Sequence, residues 1–258
     1  MNAVTPEGLR WEPSGRWVRG TRGGVTVVDS RRPVLVWEPD VPVPAYAFPR
    51  AEVRADLLRP ARNPPAGAHA GSVVFHDLEL GGELLENAAW TYPGEDLAGH
   101  VAFEWTERTG RGLDHWFEEE EEIFVHPRDP YKRVDAIPSS RRVRVEIGGT
   151  VVADTRRPVL LFETGLPTRY YLPREDVRLD LFVPSARRTR CPYKGTAGYW
   201  SWAGPGDVPA GIVWSYPEPL PAVAAIAGLL AFSNEAVDLT VDGERLGRPV
   251  TPFSRTLS

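Results

Sequence analysis

DSRRPVLVWE at 29–38 recurs as DTRRPVLLFE at 154–163, with seven of the ten positions identical. The match extends outward on both sides. RWVR at 16–19 answers RRVR at 141–144, and FPRAEVRADLL at 48–58 answers LPREDVRLDLF at 172–182. WTYP at 90–93 answers WSYP at 214–217, and GHVAF at 99–103 answers GLLAF at 228–232 more loosely. A period of about half the 258-residue chain means two copies of one domain, not a solenoid of small units. The expected division is 1–135 for the first copy with its linker and 136–258 for the second. HPRDPYKRVDAIPSS reads as the linker from its prolines and polar residues. The residues after Gly247 read as a loose tail.

Each copy reads mainly as strand. VRVEIGGTVVADT places alternating valines around Gly148–Gly149, a hairpin signal. GTAGYWSWAG and AGIVWSYPEP are aromatic-rich strands. PAVAAIAGLLAF at 221–232 sets Val223, Ile226, Ala227 and Leu230 at helical spacing, behind Pro221 at a first turn. The shorter DLAGHVAF is its counterpart in the first copy. WFEEEEEIFV at 116–125 reads as the closing strand of that copy, with Glu118–Glu122 as a solvated edge. The expected architecture is therefore mainly β, with one covering helix per domain. It comprises two homologous small domains with tent-like or half-barrel sheets, related by a pseudo-twofold axis.

Composition excludes several classes. A net charge of −5 gives no basic excess for bulk nucleic-acid binding. There is no long apolar run to span a membrane and no signal-like leader at the N-terminus. One cysteine, Cys191, forbids an internal disulfide and any multi-cysteine zinc site, and suits a reducing cytoplasm. The histidines all lie in the first half without metal-ligand spacing, so neither metal nor cofactor is expected. Lysine is scarce: Lys132 and Lys194 stand against 28 arginines, a bias that GC-rich codon usage produces. Walker, G-x-S-x-G and G-x-G-x-x-G motifs are absent.

CPYKGTA at 191–197, followed by WSYP, with DHWFEEEEEIFVHPRDPYKRVD and the ADTRRPVLLFE run, closely resembles the family of domain of unknown function 427. The resemblance covers nearly the whole chain, as a tandem member. It implies a small, mostly β domain with a concave sheet and one covering helix. The family carries a label hinting at nucleotidyl transfer. Gly71–Ser72 and Asp77–Leu78–Glu79 have the letters of that chemistry but lie too close together on one strand-like run to match its motif.

The sharpest candidate site is Arg188–Gly195, present in the second copy only. Cys191, Tyr193 and Lys194 would anchor a small-molecule ligand, with Trp200, Trp202, Trp214 and Tyr216 as an aromatic wall or cage. The first copy offers only His69 at the place of Tyr193. The alternatives are an enzyme using Cys191 or Lys194 as nucleophile, a pure interaction module, or a structural cysteine among core aromatics. Alternation along the strand separates Cys191 from Arg190, so an unreactive, largely buried sulfur is expected. Residues repeated in both copies, such as Arg54–Asp56 and Arg178–Asp180, read as ion-pair or turn partners. Oligomeric state is not legible.

Overall fold

A computed structural model describes residues 8–39, 41–65, 73–94, 96–252 and 254. The chain divides into two compact units between Asp129 and Pro130. The expected boundary at 135/136 lies inside the second unit, because part of the expected linker is a strand. Val134–Pro138 pairs antiparallel with Val159–Glu163.

The first unit has strands β1 (Arg10–Pro13), β2 (Val18–Arg22), β3 (Val25–Ser30), β4 (Val34–Trp37), β5 (Ala45–Pro49), β6 (Leu58–Pro60), β7 (Val74–Leu80), β8 (Glu83–Thr91), β9 (His100–Phe103), β10 (His115–Glu118) and β11 (Glu121–Ile123). The second has β12 (Val134–Pro138), β13 (Val143–Ile147), β14 (Thr150–Thr155), β15 (Val159–Glu163), β16 (Arg169–Leu172), β17 (Phe182–Cys191), β18 (Gly195–Trp202), β19 (Val213–Ser215), β20 (Leu230–Phe232), β21 (Asp238–Val241) and β22 (Glu244–Arg245). The large sheet of the first unit runs β1-β4-β5-β9-β8-β7-β6, and that of the second repeats it as β12-β15-β16-β20-β19-β18-β17. The small sheets, β11-β10-β2-β3 and β14-β13-β21-β22, also correspond strand for strand. This is the mainly β, twice-written architecture expected from the repeat. Neither sheet closes into a barrel.

Turn chemistry fixes the registers. Gly148 and Gly149 both take positive φ (55° and 79°) between paired Ile147 and Thr150, the two-residue turn whose twist suits a hairpin. The main core of each unit lies between its large and small sheets. In the second unit it includes Val145, Leu172, Ile212, Leu230 and Phe232. Alternation sends the neighbouring side chains to the other face of the large sheet. There Val159, Leu161, Tyr171, Ala197, Tyr216 and Ala231 pack with Val223 and Ile226.

Four local expectations change. Residues 221–232 do not form one helix. Pro221–Ile226 is a short 3-10 turn with a break at Val223, and Leu230–Phe232 is strand β20. The apolar spacing there serves two elements, because the turn packs against β12 while β20 fills the sheet. In the first copy the corresponding residues are a turn and strand β9. Residues 116–125 form a hairpin rather than one strand, and Glu118 is buried. It accepts a 2.8 Å hydrogen bond from the Tyr46 hydroxyl and pairs with Arg16 at 2.5 Å. The period-two alternation of β10 turns Trp116 and Glu118 inward together. The described part of the C-terminal tail is docked: Thr251 Oγ1 donates to Glu235 at 2.7 Å, and Arg248 pairs with Asp238 at 3.0 Å.

Candidate functional site

CPYKG is the turn of the β17–β18 hairpin, with Cys191 paired to Gly195. Gly195 has φ +99°, and a Cβ there would lie 3.1 Å from the Glu218 carbonyl oxygen. Only glycine permits both that conformation and that approach. The Leu220 amide donates to the Lys194 carbonyl at 3.1 Å and ties the turn to the following segment.

So held, Lys194 reaches the carboxylate of Glu163, at the end of β15. Its ammonium pairs with Oε2, while Lys132 Nζ lies 3.2 Å from Oε1. The side chains of Glu163 and Lys194 are 7% and 11% exposed. Burial alone would raise the Glu163 pKa. Lys194 and Lys132 together outweigh it and hold the carboxyl below the usual carboxylate range.

Tyr171 and Tyr216 stand beside this carboxylate. Trp214 Nε1 donates to the Tyr171 hydroxyl at 3.1 Å. The Tyr216 hydroxyl makes no hydrogen bond among the described residues. Burial, reinforced for Tyr216 by Cys191 and Tyr171, pushes both phenols well above their ordinary pKa, so both keep their protons near neutral pH. Cys191, Tyr193, Tyr199 and Trp214 are half-buried at the rim. Tyr199 bonds Thr189 through their hydroxyls at 2.7 Å.

The other copy is a built-in comparison. One row across this face of the large sheet in the first unit is Phe75–Trp90–Ala102–Ala47–Val34. The same row in the second unit is Tyr199–Trp214–Ala231–Tyr171–Val159. Two of its five positions gain a tyrosine hydroxyl. In the first unit the Tyr92 hydroxyl donates to Glu38 Oε1 at 2.8 Å. In the second, Glu163 answers Glu38 and Tyr216 answers Tyr92, but the carboxylate is engaged by two lysines instead.

Of the residues read from sequence, Cys191, Tyr193, Lys194, Trp214 and Tyr216 gather at this face. Trp200 and Trp202 do not. Strand β18 alternates, so it is Tyr199 that pairs with Trp214, while Trp200 pairs with Val213. Trp200 and Trp202 pack on the main core, with Trp202 edge-on to Phe182. Cys191 is half-buried rather than largely buried, being the last residue of its strand. Arg188 and Arg190 pair opposite Gly198 and Thr196, on the face away from the sulfur. Glu163, Lys132, Tyr171 and Tyr199 were not among the expected site residues. Their signals were the Ala47/Tyr171 and Phe75/Tyr199 differences between aligned copies and the placement of the chain's two lysines. The expected filled site of the first copy, at 67–71, lies outside the described residues.

Two open clefts are described, and neither touches Cys191–Lys194. One, about 190 Å³, lies in the second unit and is lined by Thr168, Tyr170, Asn234 and Leu246 among others. The larger and more charged, about 590 Å³, lies in the first unit among Arg16, Glu118–Glu121 and Arg128. Neither of these clefts is the pocket expected at Cys191, Tyr193 and Lys194. Arg54–Asp56 and Arg178–Asp180 are two-pronged ion pairs at matching 3-10 turns, as their repetition suggested. Among the described residues no helix is long and apolar enough to cross a membrane. No three His, Cys, Asp or Glu side chains among them are grouped to hold a metal.

No curated protein matches this chain. A family model described as a domain of unknown function, DUF427, matches residues 10–118 and again 135–243, the two copies that sheet order and the shared row of side chains define independently. The chain is a tandem member of the DUF427 family.

Proposed function

We propose that the second unit binds a small organic ligand at the rim of this face of its large sheet, where Cys191, Tyr193, Tyr199 and Trp214 surround the Glu163–Lys194–Lys132 cluster. One observation carries this reading. At equivalent positions the first copy's buried tyrosine donates to its glutamate, whereas in the second the glutamate pairs with two lysines and the Tyr216 hydroxyl makes no hydrogen bond among the described residues. This difference between otherwise matching positions fits a site kept open for an outside partner. The partner is then a small molecule rather than nucleic acid or membrane, and a cytoplasmic home agrees with the single thiol.

A second reading, an interaction module, is favoured by the position of the two clefts away from Cys191–Lys194. A flat rim suits a protruding side chain of another protein as well as a free metabolite. The nucleophilic alternative fares worse at Lys194, because an ammonium held by a buried carboxylate has no lone pair for attack.

The test is a thermal-shift screen of the full chain with a small-molecule metabolite extract, beside Tyr216→Phe. A ligand that binds only the folded state raises the melting temperature. Fractions that stabilise the wild type and not Tyr216→Phe support the reading. Equal stabilisation of both chains, or none of either, overturns it.

A further inference from the structure

The chemistry of the ligand follows from a count of donors and acceptors at this same cluster, and so rests on the ligand-binding reading. Both Glu163 oxygens are taken, Oε2 by Lys194 and Oε1 by Lys132. Against them stand donors with nothing to receive them among the described residues. The Tyr216 hydroxyl has no partner. The Tyr171 hydroxyl accepts from Trp214 and has no acceptor for its own proton. Each lysine keeps ammonium hydrogens beyond the one directed at Glu163. Tyr216 is 6% exposed and Tyr171 is 1% exposed.

Charge points the same way. Lys132, Lys194 and Glu163 sum to one positive charge. The adjacent Arg169–Glu235 pair is bidentate at 2.8 and 2.6 Å and neutral as a unit. The adjoining surface is aromatic: the half-buried rings of Trp214 and Tyr199 pair across neighbouring strands, with the Arg187 guanidinium 4.7 Å from the Tyr199 ring adding further positive charge.

We infer that the second unit takes a small organic monoanion, with an acceptor-rich carboxylate directed at Tyr216, Tyr171 and Lys132 and a planar apolar body laid on Trp214 and Tyr199. A neutral amide offers one acceptor and adds two donors to a site already rich in them. A cationic amine adds a charge of the wrong sign. Charge-assisted hydrogen bonds are the stronger class, so the carboxylate gains the most from the phenols.

The experiment is an NMR titration of the full chain with benzoate, benzamide and benzylamine, repeated on Tyr216→Phe and Lys132→Met. Lys132→Met leaves the Lys194–Glu163 pair in place, and urea midpoints confirm that both variants fold. Benzoate is expected to bind the wild type at least roughly tenfold more tightly than the other two, and each variant to weaken it by roughly tenfold. Equal affinity for benzamide or benzylamine overturns the anion assignment and leaves the ligand-binding reading standing, provided that binding is lost in Tyr216→Phe. Benzoate binding that neither variant weakens overturns the inference by placing benzoate elsewhere. If none of the three binds, the inference also falls. The extract screen then decides separately whether the broader reading survives.

Discussion

Replacing Lys194 by methionine isolates the charge at the cluster, because methionine keeps the apolar length of the lysine stem. Removing one partner of a buried ion pair typically costs about 3–5 kcal/mol, since the remaining charge is left uncompensated. Here Lys132 stays on the other oxygen at 3.2 Å and is itself 27% exposed. The expected loss is therefore smaller, about 2–3 kcal/mol, read as a fall in the urea-unfolding free energy at pH 7. The pH dependence separates charge from packing. In the wild type, the folded pKa of Glu163 lies below its unfolded value. Its ion pairs thus stabilise fully above the unfolded carboxylate pKa of about 4.3, and the contribution fades as pH falls through the folded value. In the variant, burial is opposed by Lys132 alone, so the folded pKa rises and the folded state takes up its proton earlier. The gap between variant and wild type should be widest at neutral pH and narrow on acidification. Adding Glu163→Gln to the variant should recover part of the loss, because the uncompensated charge goes with it. A loss of the same size at neutral and acid pH, or strictly additive losses in the double variant, would refute the electrostatic account and leave only packing.

Gly195→Ala should destabilise by about 1–3 kcal/mol in thermal unfolding, because it forces a Cβ onto φ +99° and to 3.1 Å from a carbonyl oxygen; an unchanged melting temperature would contradict the geometry. Tyr46→Phe should cost about 1–3 kcal/mol in urea unfolding, by leaving one Glu118 oxygen without its buried donor. Burial is the largest influence on Glu235, yet hydrogen bonds from Arg169 and Thr251 bring its pKa down to about 2. Its stabilisation is complete above the unfolded carboxylate value and lost as pH falls toward 2, so Glu235→Gln should be less stable at pH 7 and converge on the wild type near pH 2.

The repeat made the fold legible, since equal sequence at equal spacing forces equal strand order. Hairpin turns were legible too, because Gly148–Gly149 names a turn type. A helix over 221–232 is what the sequence predicts, because Val223, Ile226, Ala227 and Leu230 fall at helical spacing whether they line one helix or a 3-10 turn followed by a strand. Trp200 and Trp202 were grouped with Trp214 because sequence proximity was read as sharing a face. Which residue of β18 sits opposite Trp214 depends on register, and register is set by the Gly195 turn and by the bulge between Ser185 and Arg188. Lys132 was hidden for a different reason. It lies 62 positions from Lys194, in a stretch that reads as linker, and only the folded sheet brings both to Glu163.

Codon bias explains why lysine is scarce in this chain, and it does not explain where the two survivors lie. With 28 arginines available, ion pairs elsewhere are made by guanidinium, as at Arg16–Glu118 and Arg169–Glu235. Both lysines instead end on the same buried carboxylate. An arginine fork presents its donors in a fixed plane and would take both oxygens of one carboxylate, leaving nothing directed elsewhere. Two ammonium groups, each on one oxygen, leave rotatable donors free on either side of Glu163. That choice has a purpose only if something besides Glu163 receives those donors. The first copy, with the same sheet and the same glutamate, has Tyr92 there instead and no lysine at all. The shared sheet order therefore does not require the lysines, and their joint presence on Glu163 is the feature that the proposed ligand site would use.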